Sequence, residues 1–264
     1  MRKHQWIFFV VLLLLILAAC QLFSIKTGHS DIDEGLVAWY PFDGTLHDSS
    51  GLGQHASALY GPVSFSADRS GNPGAAVELD GKKDILTAPI SKAAGTLGSL
   101  SVSVYFKTNS TSIQNLICRR KQYECFHPED FGGLSWSINA SSQREPHFAV
   151  VSPEEITCET PRGIDAYTDI VYGMYKIETG QWYHLVGVFE DGLQRIYVNG
   201  SLRQSLSRSF NVLRECNDNM YVIGGFVNEL PTRFNGVIDD LRIYNRALGE
   251  EEILSLAKDF KPID

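Results

Sequence analysis

Leu100, Val102, Val104 and Phe106 alternate with Ser101, Ser103 and Tyr105 in one uninterrupted run. Period-two alternation sends one set of side chains to each face of a strand and requires a core against one of them. The same pattern recurs along the chain. Residues 36–42 form an apolar, aromatic run that stops at Asp43-Gly44, and residues 75–79 stop at Asp80-Gly81. Residues 182–189 are apolar on both faces, as expected near the middle of a sandwich. Ile196-Tyr197-Val198 leads into Asn199-Gly200, the dipeptide suited to a type I′ hairpin turn because both positions need positive φ. Residues 220–225 and 237–244 read as further strands, and residues 250–258 as a helix with Ile253, Leu254 and Ala257 on one side, before Pro262. Many short strands divided by turns predict an all-β chain, a two-sheet antiparallel sandwich with a short C-terminal helix. Residues 152–177 break the rhythm. Pro153, Pro161, Gly163 and several tyrosines there predict an inserted loop rather than ladder strands.

The N-terminus reads as an address. Arg2, Lys3 and His4 precede an apolar run from Trp6 to Leu17. That run is shorter than the roughly 20 residues a membrane-spanning helix needs. It ends in Leu17-Ala18-Ala19-Cys20, small residues placed as at a signal-peptide cleavage site. The tetrapeptide resembles the bacterial lipobox, which implies that Cys20 is lipidated and becomes the first mature residue. Residues 1–19 are then a lipoprotein signal peptide, residues 20–34 a lipidated, flexible tether, and residues 35–264 the folded domain. The alternative is an uncleaved anchor helix; both place the domain outside the cytoplasm. Gln21, where Asp would imply inner-membrane retention in a Gram-negative lipoprotein, implies an outer-membrane or cell-surface location.

Charge narrows the partners. The chain carries 23 Lys and Arg against 31 Asp and Glu, a formal −8; without residues 1–19, which hold Arg2 and Lys3, it is −10. No basic run exceeds Arg119-Arg120-Lys121. Nucleic-acid binding needs clustered cations and is not expected. Anionic head groups would also repel such a domain, so membrane attachment is expected through lipid on Cys20. Cys118, Cys125, Cys158 and Cys216 form an even set, which outside the cytoplasm predicts two disulfides. Three connectivities are open; Cys118–Cys125 with Cys158–Cys216 is preferred over the others and over a zinc site.

Three segments carry a family resemblance. They are Leu36-Val37-Ala38-Trp39-Tyr40-Pro41-Phe42-Asp43-Gly44 with Asp48-Ser49-Ser50-Gly51 behind it, residues 180–186 continuing to Tyr197-Val198-Asn199-Gly200, and residues 234–248, Phe-Asn-Gly-Val-Ile-Asp-Asp-Leu-Arg-Ile-Tyr-Asn-Arg-Ala-Leu. Together they resemble the LamG-like jelly-roll domain of the concanavalin A-like lectin/glucanase superfamily over residues 35–254. The resemblance implies a jelly roll with one concave and one convex sheet, used for carbohydrate binding or adhesion. It departs from the family in an insertion around residues 109–177.

The resemblance also implies a structural Ca²⁺ where N- and C-terminal strands meet, with Asp43 and Asp240 as first ligands and Asp48 and Asp239 as second. Paired buried aspartates are costly unless a cation neutralises them. The alternative pairs Asp239 or Asp240 with Arg242 or Arg246 and leaves Asp43 as a turn former. For a glycan, aromatic side chains of the departing region are the candidates: Tyr123, Trp136, Tyr167, Tyr172 and Tyr175. Trp39, Trp182 and His184 read as structure. The superfamily's glucanases place acid and nucleophile on one strand as Glu-x-Asp-x-x-Glu, and this chain has no such strand. The sequence thus predicts a non-catalytic, lipid-anchored binding protein of the bacterial cell envelope. Its expected partner is a glycan; the alternative is a cell-surface protein, in adhesion or envelope assembly.

Overall fold

A computed structural model of the protein describes residues 32–89, 98–120, 131–138, 144–151, 168–213, 220–225 and 232–258. Residues Gly35–Asp264 form one compact unit. Among the described residues, two antiparallel sheets hold fifteen strands.

The first sheet is built on β6 (Ser99–Thr108), with β11 (Trp182–Glu190), β12 (Leu193–Val198) and β13 (Ser201–Ser207) on one side. On the other lie β15 (Asn235–Tyr244), β4 (Ala76–Asp80) and β3 (Ser64–Ser66), while β1 (Leu36–Tyr40) pairs with the far end of β15. The second sheet runs in the order β10 (Thr168–Tyr172), β9 (His147–Val151), β8 (Phe131–Ile138), β7 (Gln114–Arg120), β14 (Met220–Ile223), β5 (Leu86–Pro89) and β2 (Ser57–Ala58).

The alternation in β6 does what the sequence predicts. Leu100, Val102, Val104 and Phe106 enter the core, with Leu185 and Phe189 of β11 and Ile238 and Ile243 of β15. Facing them are Leu116 and Ile117 of β7, Phe148 and Val150 of β9, and Tyr221 and Ile223 of β14. Side chains of this size each contribute about 1.5–3 kcal/mol when fully removed from water. The Asn199-Gly200 turn joins β12 to β13 with φ of 51° and 78°. At Gly236 any Cβ would collide with the Lys107 carbonyl oxygen on β6, so close approach of β15 requires glycine there.

The other face of the first sheet is covered too. Ser101, Ser103 and Tyr105 are almost completely buried although they point away from the core. The C-terminal segment lies over them. Ser101 Oγ donates to the Arg246 carbonyl and accepts from Leu248 N, both at 2.9 Å. The Tyr105 hydroxyl donates to the carbonyl of Leu256, the last residue of α1 (Glu250–Leu256).

Two expectations need correction. The region 152–177 is not wholly loop: Thr168–Tyr172 is a ladder strand, paired residue for residue with Val151 back to His147. Residues 109–177 in fact supply β7 to β10, four strands of the second sheet. A five-residue strand with Asp169 inside it is too short to display a period. Second, Leu254 is 57% exposed, and Glu252 takes a buried place on α1 instead. Glu252 can be buried because its two oxygens accept from Arg246 at 2.7 and 2.8 Å and one also accepts from Gly249 N at 2.8 Å. Residues 1–31, which include Cys20 and most of the expected tether, lie outside the described residues.

Candidate functional site

β15 changes partner midway. Asn235 to Ile238 pair with β4; Leu241 to Tyr244 pair with β1. Between them the register with β6 shifts, from Asp239 opposite Tyr105 to Arg242 opposite Ser103. Asp240 absorbs the irregularity with φ of 47°, a conformation that aspartate tolerates better than most residues. This bulge opens a cavity of about 300 Å³. Trp39, Pro41 and Asp43 form one wall, from β1 and its exit. Asp68, Arg69 and Asn72, from the loop between β3 and β4, form a second. Asp239, Asp240 and Arg242 of β15 complete it.

The charges in the cavity are interlocked. Arg69 Nη1 lies 2.5 Å from Asp239 Oδ2, and its Nη2 lies 3.7 Å from Asp240 Oδ2. Arg242 Nε donates to Asp240 Oδ1 at 3.1 Å, and Trp39 Nε1 donates to the same oxygen at 2.6 Å. Each guanidinium also covers an aromatic ring: Arg69 sits 4.1 Å from the Tyr105 centroid, Arg242 4.2 Å from that of Trp39. Such stacks favour arginine over lysine, because the flat, weakly hydrated guanidinium can be buried. Burial pushes the Asp239 carboxyl up to about 6, against the pull of Arg69. A raised carboxyl is what a general acid needs, but this one faces a guanidinium.

Behind the cavity, the His184 ring stacks on Tyr105 at 4.3 Å, and its Nε2 lies 2.8 Å from Ser103 Oγ. Burial first, then Arg69 and Arg242, push its pKa down to about 3. His184 is therefore a neutral interior ring, in keeping with its reading as structure.

Asp48, Asp43, Asp239 and Asp240 do not act as a set. Asp43, Asp239 and Asp240 share the cavity; Asp48 does not line it. Asp48 accepts from Trp39 N and Ser50 N at 2.9 Å, and from Ser50 Oγ and Gln54 N at 2.8 Å. Among the described residues no three His, Cys, Asp or Glu side chains are grouped to hold a metal ion. Calcium needs six to eight oxygens. Here N–H and O–H donors face Asp48, and guanidinium groups face Asp239 and Asp240, so the residues present do not fit that ion.

The aromatic candidates are scattered in role. Tyr172 is half-buried and edge-on to His147 at 6.1 Å. Tyr175 packs on the core, edge-on to Tyr183 at 6.0 Å and beneath the Arg203 guanidinium at 4.7 Å. Trp136 stands opposite Phe148 in the ladder between β8 and β9. Tyr123 and Tyr167 lie outside the described residues, as do Cys125, Cys158 and Cys216; Cys118 is buried in β7. The sequence reading missed Arg69, Asp68 and Asn72. Their signal was a turn-rich stretch, Asp68-Arg69-Ser70-Gly71-Asn72, in which Asp68 accepts from Ser70 N, Asn72 N and Asn72 Nδ2.

The family model described as the Concanavalin A-like lectin/glucanases superfamily matches residues 80–254. Domain 4 of AbnA, a GH43 extracellular arabinanase from Geobacillus stearothermophilus solved with arabinotriose, has 22% identity and a TM-score of 0.61, over 84% of this chain and 98% of that one. The ligand binding domain of botulinum neurotoxin serotype D, solved with N-acetylneuraminic acid, has 16% identity and a TM-score of 0.62, over 86% of this chain and 52% of that one. The receptor binding domain of the C/D mosaic serotype gives 17%, 0.60, 86% and 52%. This chain thus spans about half the length of the neurotoxin domains. At such identities these likenesses speak for the fold. The family model covers more than half of the sequence and agrees with the two antiparallel sheets, and the chain belongs to the concanavalin A-like lectin/glucanases superfamily.

Proposed function

We propose that this chain is a non-catalytic carbohydrate-binding module, held at the bacterial cell envelope by lipid on Cys20, with the cavity at the β15 bulge as its sugar site. The observation that carries the reading is the mixed wall of that cavity. An indole and a proline ring lie beside carboxylates and a carboxamide in a recess of about 300 Å³. Sugar sites combine an apolar platform with a few fixed polar groups, in pockets upward of about 300 Å³. The arabinanase domain, matched over nearly its full length, was solved with an arabinose trimer, which is consistent with this use of the fold.

Binding rather than turnover is favoured because the buried carboxylates of the cavity are tied to arginines. The test is a glycan array probed with the detergent-solubilised chain, alongside Trp39→Ala. Retention of at least one glycan, weakened tenfold or more in the variant, is the expected result. Retention of none, or release of reducing ends from a retained glycan, would defeat the reading. Attachment is tested separately: a palmitate analogue should label the wild type and not Cys20→Ser.

A further inference from the structure

The walls of the cavity are unequal in charge. Asp43, Asp68, Asp239 and Asp240 face two cations, Arg69 and Arg242, which leaves a formal excess of two negative charges. Both cations are already engaged, Arg69 with Asp239 at 2.5 Å and Arg242 with Asp240 at 3.1 Å, and each is stacked on a ring. An incoming carboxylate at either guanidinium would therefore compete with a carboxylate already held within the chain. Asp68 is closed in another way, since its oxygens accept three bonds from its own loop.

What stays open to a ligand is acceptor-rich. Asp43 is exposed and makes no hydrogen bond or ion pair among the described residues. Asn72 is exposed; one N–H of its Nδ2 donates to Asp68 Oδ2, and its side-chain Oδ1 is an acceptor. Carboxylate and carboxamide oxygens take hydrogen bonds from hydroxyl groups and repel an anion, against a single N–H left on Asn72. A sugar that carries carboxylate or sulfate would add a further negative charge to a recess that already has too many, where partial desolvation strengthens the repulsion.

Resting on the reading of the cavity as a sugar site, we infer that it selects uncharged glycans, whose hydroxyls donate to Asp43 and Asn72, and rejects acidic ones. Specificity comes from the repulsive element as much as from the attractive one.

The experiment compares matched pairs at physiological salt with the solubilised full chain: galactotriose against trigalacturonic acid, cellotriose against its glucuronic counterpart, and lactose against 3′-sialyllactose, on a surface that also carries arabinotriose. The expected result is that every retained ligand is neutral and held at least tenfold tighter than its acidic counterpart. Asp43→Lys should cut that ratio to threefold or less. An acidic member bound as tightly as its neutral partner overturns the inference and leaves the sugar site standing. A ratio unchanged in Asp43→Lys overturns it too, because selection then arises outside the cavity. Retention of no glycan of either kind overturns the sugar-site reading, and the inference falls with it.

Discussion

The loop that follows β1 and the bulge in β15 each bury an aspartate, and Trp39 touches both. Its backbone N–H donates to Asp48, and its indole N–H donates to Asp240, the neighbour of Asp239. Yet the two regions shift their carboxyls in opposite directions. Around Asp48, burial works to raise the carboxyl, but bonds from Trp39, Ser50 and Gln54 together outweigh it and hold it below its usual range. Around Asp239, burial is the larger influence, Arg69 cannot match it, and the carboxyl rises to about 6. The difference lies in what faces the oxygens. Fixed N–H groups of a tight loop are aimed at Asp48 and lose little freedom in binding it. Arg69 is a long side chain that must itself be desolvated to reach Asp239.

The largest test of this contrast is acid. His184 and His147 are pushed down by burial, to about 3 and about 4, while the unfolded chain takes up protons near 6.5. Each imidazole therefore withdraws stability as pH falls below 6.5, about 1.4 kcal/mol per pH unit. Asp239, raised in the folded state, has the opposite sign: its contribution is whole below about 4 and is lost as pH climbs to about 6. Unfolding free energies from urea titrations should thus fall by about 1.4 kcal/mol per unit between pH 6 and 4 in the wild type, and by about 2.8 in Asp239→Asn. Equal slopes in the two proteins would remove the contrast.

Next in size is Asp48→Ala, which strips acceptors from three backbone N–H groups and should cost about 3 kcal/mol. Asp48→Asn, which keeps one acceptor oxygen, should cost about half as much. Arg69→Met comes third. It leaves Asp239 buried without its cation, a loss of about 2 kcal/mol at pH 7 that should shrink at pH 5 as the carboxyl protonates. A loss that stays constant across that range would mean Arg69 matters through its packing on Tyr105. Smallest is Asp43→Asn, exposed and unpaired among the described residues. Its unfolding free energy should stay within about 0.5 kcal/mol of wild type.

What the sequence revealed and what it hid follow the same divide. The Asn199-Gly200 turn and the alternation of residues 100–106 are local, and both fold as written. The two C-terminal aspartates were visible as a pair, and so was their pairing with Arg242 as an alternative to metal. Arg69 was invisible in that role, because 170 residues separate it from Asp239 and no local pattern links them. The inward place of Glu252 was hidden likewise: a periodicity argument assigns that side of α1 to Leu254, and the fork of Arg246 decides otherwise. Asp43 and Asp240 were singled out and do share a cavity, but the donors around them depend on chain crossings that spacing does not encode.

The partner change of β15 has a mechanical consequence. β1 is five residues long, among the described residues its only strand partner is β15, and its fourth residue is a wall of the cavity. Tension on the backbone ahead of Gly35 would bear on that short ladder before reaching any other strand. Slippage there would drag Trp39 away from Asp240, so the recess would lose its shape at the first step of forced extension, while the rest of the sandwich still held.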